Sequence, residues 1–540
     1  MRSKLWILFV GALLLTGCSG CSELRGDQEN GEFEFEEPDV EDSFDADAAP
    51  IEDTAPLADA DEGYFTIVVS QEAHPVMPEG WAGGESWTVT LSRAGGVYRG
   101  QTELPAGVVS LEAPGWGESF LDPIFRPLEG GQSLSALPDL RFLLPVAEEV
   151  ALEVEGEIIT IERLNQGSPG VFFDEAILRL TDEEDHVEVI EELQTSLREF
   201  GVGGAEGSPI RSGEPGLFFS GIGSEDGIPP DLRGTFNEWG GGEAYEWRQI
   251  HERLWGRFVQ GIEGHHAYKI TYGDGASWFT DFANPHIDWD GVETSGLGAF
   301  NSIINPLERP PGTGRLVWLP RVYSPELGNT REVYVYLPAT YDTDEGERRL
   351  LIVHDGNESI GRGKFHEVAD EAGADMILAF VALASQDHRM DEYTMAEPGS
   401  RGESYGEFLV ETLLPLLESR FEIGVGRESR GLAGASLGGL ISFWVASQHP
   451  EVFGFAGGMS SSFFWADEHM LAVIEELGCQ DIKYYLDSGS PQDNYQVTLA
   501  MQGQLEELEC DYTYVLEEGG LHEWSYWRAR FGNVLEAFGE

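Results

Sequence analysis

The chain has 540 residues, of which 41% are hydrophobic, so it is long enough to form several domains with buried cores. It contains 97 acidic residues and only 32 basic ones, which gives a formal net charge of −65 at pH 7. A surface with this charge repels nucleic acids and anionic membrane surfaces, so neither is expected to be bound through the folded surface.

The first residues are typical of an export signal. Basic residues precede a short apolar run at 5–15 that cannot cross a bilayer, and this pattern predicts a signal peptide at 1–17. The run ends in Leu-Thr-Gly-Cys, which resembles the bacterial lipobox and implies a lipidated Cys18 as the mature N-terminus. The alternative is an ordinary signal peptide with an incidental cysteine. Because Ser19 rather than Asp follows, the resemblance implies an exported lipoprotein anchored to the cell envelope at the outer membrane.

Two segments of different composition follow the signal. Residues 18–62 are rich in Glu, Asp, Ala and Pro and show no periodicity, which predicts a disordered acidic tether. In 63–204, short runs of alternating apolar and polar residues are separated by Gly and Pro, which predicts a β-rich domain of unknown role. A helical pattern at 183–200 is expected to close it.

A second β-rich domain is predicted at 214–308. Its landmarks are "RGTFNEW", "WGRFVQGIEGHHAYKI", "WFTDFANP" and "FNSIINP". In this order they resemble the early-set immunoglobulin-like domains at the front of isoamylases and glycogen-binding proteins. The resemblance implies an immunoglobulin-like sandwich, with a longer turn in "DFANP" than those relatives have.

The last domain is predicted at 314–540, where strand and helix patterns alternate. Such alternation indicates a mainly parallel sheet with helices on both faces, an α/β fold. Cys479 and Cys510 each lie just before a strand pattern. If the two strands are parallel neighbours, about 4.8 Å apart, the cysteines are within reach of a disulfide. The alternative is a pair of buried free thiols.

Two G-x-S-x-G pentads lie in this domain, and only one has the surroundings of a nucleophile. A nucleophile elbow needs a strand directly before the serine and a helix directly after it. Ser436, in "GLAGASLGGL", meets both conditions. Ser404, in "GESYG", follows a polar loop that contains Pro398, and it is interpreted as the start of a helix.

The partners of such a serine follow it in the chain order acid, then histidine. His522 lies in a Gly-containing loop after the last strand pattern, where a general base is expected. Asp487 and Asp493 both follow the penultimate strand pattern, and Asp493 is preferred because it lies in the loop beyond the strand. Its predicted role is to fix the histidine tautomer and stabilise the imidazolium.

The oxyanion hole of such a site needs two backbone N–H groups. One is expected from Leu437, directly after the nucleophile. The other is expected from the loop "HDGN" after an earlier strand, where Gly356 or Asn357 is the candidate donor.

Across 331–531, these segments together resemble the esterase D family, especially its enterochelin-esterase-like branch and the related carbohydrate esterase family one. The segments are "LLIVHDGN", "EFLVETLLPLLESRF", "RESRGLAGASLGGLISFWVASQHPEVFG", "MSSSFFW", "LDSGSPQDN" and "GGLHEWSYWR". The resemblance implies a C-terminal α/β-hydrolase that cleaves carboxylic esters with a Ser-His-Asp triad and without a metal or other cofactor. The sequence departs from the family at "HDGN", where many relatives have "LDGQ" or "HGxG".

The substrate pocket is less well specified. Aromatic residues near the predicted site either line a pocket for an aromatic or sugar ester or pack the last helix, and they are Phe463, Phe464, Trp465, Trp524 and Trp527. Arg389 either binds an anionic group of the substrate or forms a structural ion pair.

The sequence therefore predicts an exported serine esterase that acts on small-molecule or polysaccharide-linked esters. Hydroxycinnamoyl or acetyl sugar esters and siderophore-like esters are the expected substrate classes. The alternative is a non-catalytic, carbohydrate-binding surface lipoprotein with a relic esterase domain.

Overall fold

The computed structural model describes most of the chain from Tyr64 onward. The described residues are 64–71, 86–94, 97–112, 128, 130–133, 140–144, 147–155, 158–181, 186–201, 209–211, 217–223, 228–240, 247–251, 253–259, 261–273, 275–292 and 300–540. The predicted signal peptide at 1–17, Cys18 and the predicted tether at 18–62 lie outside them. Within the described part of the chain, no helix is both long and apolar enough to span a membrane.

The first region is an antiparallel sheet of eight strands. They are β1 (Tyr64–Gln71), β2 (Ser86–Ala94), β3 (Val97–Leu104), β4 (Gly107–Glu112), β5 (Gly130–Ser133), β6 (Leu140–Leu144), β7 (Glu148–Glu155) and β8 (Ile158–Arg163). They lie side by side in the order β5-β8-β7-β3-β2-β1-β4-β6. Buried and more exposed residues alternate along β7 because successive side chains point to opposite faces of the sheet. The β-rich character predicted for this region is confirmed.

Two helices follow this sheet, α1 (Gly170–Thr181) and α2 (His186–Gly201). The sequence pattern predicts only the second. Their buried side chains share one core with Phe218 and Leu254 of the next region, so the hydrophobic core continues across the boundary predicted near 204–214.

The second region consists of two sheets that share a core. Its strands are β9 (Ile210–Arg211), β10 (Leu217–Ile222), β11 (Asp231–Gly234), β12 (Arg248–His251), β13 (Leu254–Val259), β14 (His266–Tyr272), β15 (Ser277–Phe279), β16 (His286–Trp289) and β17 (Phe300–Ile304). One sheet has the order β12-β13-β10-β9, and the other begins β11-β14-β17-β16. Phe219 from the first sheet and Tyr268 and Ile304 from the second lie in the common core. This is the layering of a β-sandwich, and its identity as an early-set domain stays a prediction.

The predicted boundary between 308 and 314 is not a break in the sheet. Strand β18 (Arg315–Ser324) pairs with β16, with His286 opposite Val317 and Ile287 opposite Leu316. The second sheet of the sandwich therefore continues into the sheet of the last domain, and the described residues contribute thirteen strands to it.

The last domain adds β19 (Asn329–Leu337), β20 (Arg349–His354), β21 (Met376–Val381), β22 (Arg430–Ala435), β23 (Phe455–Met459), β24 (Lys483–Ser490) and β25 (Tyr512–Glu518). Their order is β18-β19-β21-β20-β22-β23-β24-β25. Strands β18 and β19 are antiparallel to their neighbours, and the six strands β20 to β25 run parallel.

Helices cover both faces of this sheet. They are α3 (Gly356–Gly361), α4 (Phe365–Ala372), α5 (Arg389–Glu392), α6 (Gly402–Glu407), α7 (Leu414–Glu418), α8 (Leu437–Gln448), α9 (Trp465–Leu477), α10 (Tyr495–Glu507) and α11 (Trp524–Gly539). One core contains Phe443 and Met501, and the other contains Phe365 and Phe531. The predicted α/β-hydrolase architecture, a mainly parallel sheet between two helical layers, is confirmed for this domain.

Cys479 and Cys510 form a disulfide, with their Cα atoms 5.2 Å apart. They lie just before β24 and β25, which are parallel neighbours. The bond therefore joins the starts of adjacent strands, as the alternation of strands and helices in the sequence predicts.

Candidate active site

The turn between β22 and α8 carries Ser436 in a strained conformation. Its backbone has φ 59° and ψ −117°, a region that residues other than glycine rarely adopt. A Cβ atom on Gly434 would lie 2.7 Å from the backbone carbonyl carbon of Gly438, so the close approach of strand and helix requires glycine. The strand, the tight turn and the helix together form the predicted nucleophile elbow.

The structure brings Ser436, His522 and Asp493 together in one chain of hydrogen bonds. His522 Nε2 lies 3.0 Å from Ser436 Oγ, and its Nδ1 lies 2.7 Å from Asp493 Oδ1. The imidazole is partly exposed, whereas the Asp493 side chain is fully buried. With the proton on Nδ1, the free Nε2 can accept a proton from the serine hydroxyl.

The second carboxylate oxygen of Asp493 accepts three hydrogen bonds. They come from Ser460 Oγ at 2.6 Å, the Gly489 amide at 2.8 Å and Arg530 Nη2 at 3.1 Å. Burial raises the pKa of Asp493, but the hydrogen bonds from His522, Ser460 and Gly489 and the charge of Arg530 outweigh burial and hold the pKa well below its ordinary value. The carboxylate therefore stays ionised at neutral pH.

Asp487, the other candidate acid, has different partners. Its Oδ1 lies 3.1 Å from Arg530 Nη1 and accepts a hydrogen bond of 3.2 Å from the Ser460 amide. Its Oδ2 accepts a hydrogen bond of 2.8 Å from the Tyr485 hydroxyl. Burial raises the pKa of Asp487 to about 7, although the charge of Arg530 opposes this shift. The structure thus places Asp493, and not Asp487, against the histidine.

The loops that carry Asp493 and His522 meet at two glycines. A Cβ atom on Gly489 would lie 2.3 Å from the backbone oxygen of Gly520. Any side chain at position 489 would collide with the Gly520 backbone, so only glycine allows the two segments to approach this closely. This close contact brings the segments that carry the acid and the imidazole next to each other.

The candidate oxyanion donors lie at the starts of two helices. Leu437 is the first residue of α8, and Gly356 and Asn357 are the first two of α3. The first N–H groups of a helix have no acceptor inside the helix, so they are available to a ligand. A Cβ atom on Gly438 would lie 3.3 Å from Oδ2 of Asp355, the residue directly before α3. The loop before α3 therefore packs against the elbow.

Arg389 forms a bidentate ion pair with Asp355. The Nε and Nη2 atoms of Arg389 lie 2.7 and 2.8 Å from the two carboxylate oxygens. Of the two predicted roles, the structural ion pair is the one present. The pair ties α5 to the loop before α3.

The aromatic candidates divide by burial. Phe463 is fully buried and packs edge-on against Phe443, with ring centroids 4.9 Å apart, so the prediction that it lines a pocket is wrong. Phe464, the next residue, is 52% exposed. Trp465 is half-buried, and its Nε1 donates a hydrogen bond to the Met395 carbonyl.

Of the two tryptophans of α11, only Trp527 contacts the histidine. Trp527 is buried, lies edge-on to the His522 ring at 4.9 Å and donates a hydrogen bond of 3.0 Å from Nε1 to Ser460 Oγ. Trp524 packs against Trp527 and Phe365. These contacts belong to the packing alternative for both tryptophans.

Three polar residues of the site are absent from the sequence prediction. Ser460 and Arg530 hold Asp493, and Ser462 Oγ lies 3.2 Å from Ser436 Oγ. The two serines lie in "MSSSFFW", a polar run directly after an apolar strand, and that pattern is a signal for site residues at the edge of a parallel sheet. Within the described part of the chain, no cluster of three or more His, Cys, Asp or Glu residues is arranged to hold a metal ion.

The C-terminal part of the chain matches a family of known proteins. Residues 324–538 match the family model described as "Putative esterase". The chain is 26% identical over 230 residues to the uncharacterized protein YbbA of Bacillus subtilis, which covers 38% of this chain and 91% of YbbA.

Two solved structures are also similar to the chain. A ferulic acid esterase is 18% identical, with a TM-score of 0.37 and coverage of 42% of this chain and 98% of that protein. The enterobactin esterase of Shigella flexneri, solved in the presence of enterobactin, is 16% identical, with a TM-score of 0.36 and coverage of 60% of this chain and 92% of that protein.

Proposed function

We propose that the C-terminal domain, whose residues 324–538 match the "Putative esterase" family model, hydrolyses carboxylic esters with Ser436, His522 and Asp493 as its catalytic triad and through an acyl-enzyme. The observation that carries this proposal is the unbroken hydrogen-bond chain from Ser436 Oγ through both imidazole nitrogens to Asp493. The alternative of a relic esterase domain is disfavoured by this intact arrangement.

The reaction begins when His522 Nε2 takes the proton of the Ser436 hydroxyl as its oxygen attacks the ester carbonyl. The low pKa of Asp493 keeps its charge beside the imidazolium that forms, which stabilises that cation. The tetrahedral intermediate collapses, and the imidazolium gives its proton to the departing alcohol. A water molecule, activated by the same imidazole, then cleaves the acyl-enzyme and releases the acid.

The negative charge on the carbonyl oxygen needs donors in the same site. The amide of Leu437 is one proposed donor, and the amide of Gly356 or Asn357 is the other. Both lie at helix starts, where the positive end of the helix dipole favours an anion.

The proposed substrates are esters with an apolar or aromatic acyl group, such as hydroxycinnamoyl esters of sugars. Two exposed apolar side chains support this class. Phe464 lies two residues after Ser462, which contacts the nucleophile, and Leu521 directly precedes His522. Acetyl sugar esters and siderophore-like esters are the competing classes.

A substrate panel tests this assignment. We expect higher kcat/KM for methyl ferulate than for acetylated xylan or enterobactin, and we expect Phe464→Ala to lower the value for methyl ferulate selectively. Leu477→Ala is the matched control, because Leu477 is also exposed but lies at the other end of α9. A preference for enterobactin or acetylated xylan would replace the proposed class.

Hydrolysis of p-nitrophenyl acetate tests the triad itself. Ser436→Ala is expected to reduce kcat by several orders of magnitude, whereas Ser404→Ala, in the second pentad, is expected to leave it unchanged. Inactive wild-type protein, or equal activity of the Ser436→Ala variant, would refute the mechanism.

We further propose that the protein is exported and anchored by a lipid at Cys18, because basic residues and a short apolar run precede the Leu-Thr-Gly-Cys motif. The disulfide between Cys479 and Cys510 supports an oxidising location. Cell fractionation tests this: Cys18→Ser is expected to move the protein from the membrane fraction, and an unchanged distribution would contradict lipid attachment.

A further inference from the structure

Behind the proposed triad lies a buried polar cluster that the mechanism above does not use. Arg530, on α11, is only 3% exposed, and it contacts both Asp487 and Asp493, which are fully buried. Its Nε also lies 3.4 Å from a carboxylate oxygen of Glu517 on β25. One guanidinium therefore serves two buried carboxylates and a third, partly exposed one.

Ser460 connects the members of this cluster. Its hydroxyl donates to Asp493 and accepts hydrogen bonds of 3.0 Å each from Arg530 Nη2 and Trp527 Nε1. Arg530 and Trp527 can only donate, so the Ser460 hydroxyl must direct its own proton to Asp493. The cluster thus fixes one oxygen of Asp493 and leaves the other for His522.

We propose that Arg530 is a positioning residue for Asp493 and that Asp487 is a second carboxyl group whose loss of a proton strengthens His522 as the base. This inference rests on the proposed triad. Arg530 and Asp487 act on the reaction through Asp493, without touching the substrate.

The charge balance gives the physical reason. When His522 takes the serine proton, the site gains a positive charge. Ionised Asp487 adds a negative charge to the cluster of Arg530 and Asp493, and that charge stabilises the imidazolium. When Asp487 is protonated this contribution is lost, so the imidazolium is less stable. We take roughly tenfold as the effect of one unit charge within such a buried cluster on the protonation equilibrium of the imidazole.

The groups that face Asp487 come from several elements. Arg530 lies on α11, Asp493 lies in the loop after β24, and Tyr485 lies on β24 itself. From β25, Tyr514 interacts with Asp487 electrostatically and Glu517 contacts Arg530. Burial raises the pKa of Asp487 to about 7, so its protonation state changes near neutral pH.

The variant Asp487→Asn tests the role of the second carboxyl, because Asn mimics the neutral acid at every pH. In the wild type we expect log(kcat/KM) to rise with a slope above 1 on the acid limb, since His522 and Asp487 both lose a proton. In the variant we expect a slope of 1 and a kcat about tenfold lower above neutral pH. An unchanged pH profile would overturn the role of Asp487.

A double-mutant cycle tests Arg530. Arg530→Met leaves two buried carboxylates without their cation, and we expect kcat to fall by about 100-fold. Adding Asp487→Asn removes one of those charges and is expected to recover part of the activity, whereas independent sites would give additive losses. Additive losses would refute the coupling. Arg530→Lys, which keeps the charge, serves if the Met variant fails to fold.

Arg528→Met is the matched control on the same helix. Arg528 pairs with Glu367 on the outside of the domain, so the substitution is expected to leave both kcat and the pH profile unchanged. If the wild type shows no esterase activity, the proposed triad fails; if it is active and depends on Ser436 while Asp487→Asn is without effect, only this inference fails.

Discussion

The substitution Asp493→Asn replaces one oxygen of the proposed triad acid by an NH2 group with almost no change of size. Three groups contact Oδ2 as donors, and two of them, the Gly489 amide and Arg530, cannot accept a hydrogen bond. An NH2 group at that position would oppose two donors, at a cost of about 1–3 kcal/mol each. We therefore expect the amide to place its oxygen there and its NH2 group against His522.

This orientation reverses the roles at the imidazole. His522 Nδ1 would then accept a hydrogen bond from the Asn amide, so the ring proton would move to Nε2, which faces Ser436. In that tautomer Nε2 cannot take the serine proton. We expect kcat to fall by about 10⁴-fold, which corresponds to about 5 kcal/mol of activation free energy.

The assay is steady-state hydrolysis of p-nitrophenyl acetate, together with thermal unfolding. KM is expected to change little, whereas the unfolding midpoint is expected to fall, because Arg530 loses one of its buried carboxylate partners but keeps Asp487. Asp487→Asn, expected to lose only about tenfold in kcat, is the comparison. Two results would refute the assignment of the acid: Asp493→Asn retains more than about a tenth of the activity, or Asp487→Asn loses more activity than Asp493→Asn does.

Three further substitutions test other parts of the structure. Glu392→Gln removes the charge that faces Arg331 in a fully buried ion pair, and denaturant titration is expected to show a loss of about 3–5 kcal/mol in the free energy of unfolding; an unchanged midpoint would contradict this. Cys479→Ser opens a disulfide between cysteines 31 positions apart, so the chain-entropy model predicts a loss of about 3–4 kcal/mol under oxidising conditions. Equal stability of variant and wild type would argue against the bond. Gly489→Ala would force apart the loops of the acid and the base, and kcat is expected to fall by about 100-fold. The control Gly503→Ala, at a position with open space around it, is expected to keep full activity.

The elbow could be predicted because its signals are local. A strand, a serine flanked by glycines and a helix occupy consecutive residues, so the pattern of 430–448 contains the whole geometry. The loops of His522 and Asp493 could also be predicted, since strands of a parallel sheet all end at the same edge.

The choice between the two acids depends on side-chain direction, which the pattern does not encode. Asp487 and Asp493 both follow the same strand pattern, yet only one reaches the histidine. In the same way, Phe463 and Phe464 are neighbours in sequence, but one lies in the core and the other is exposed. Only the packing of α8 and α9 distinguishes them.

Long-range pairing accounts for the remaining differences. The prediction of separate units at 214–308 and 314–540 rests on composition, but the pairing of β16 with β18 joins them in one sheet. Arg530 lies far along the chain from Ser460 and Asp493, and a helical pattern does not show that its guanidinium is buried. Such contacts follow only from the assembled sheet.

Covalent labelling of the nucleophile tests the central claim most directly. Diethyl p-nitrophenyl phosphate reacts with an activated serine, and peptide mapping by mass spectrometry locates the adduct. We predict one diethylphosphoryl group on Ser436, none in Ser436→Ala and strongly slowed labelling in His522→Ala, with Ser404→Ala labelled like the wild type. Absence of an adduct, or labelling of another serine, would contradict the assignment of Ser436 as the nucleophile.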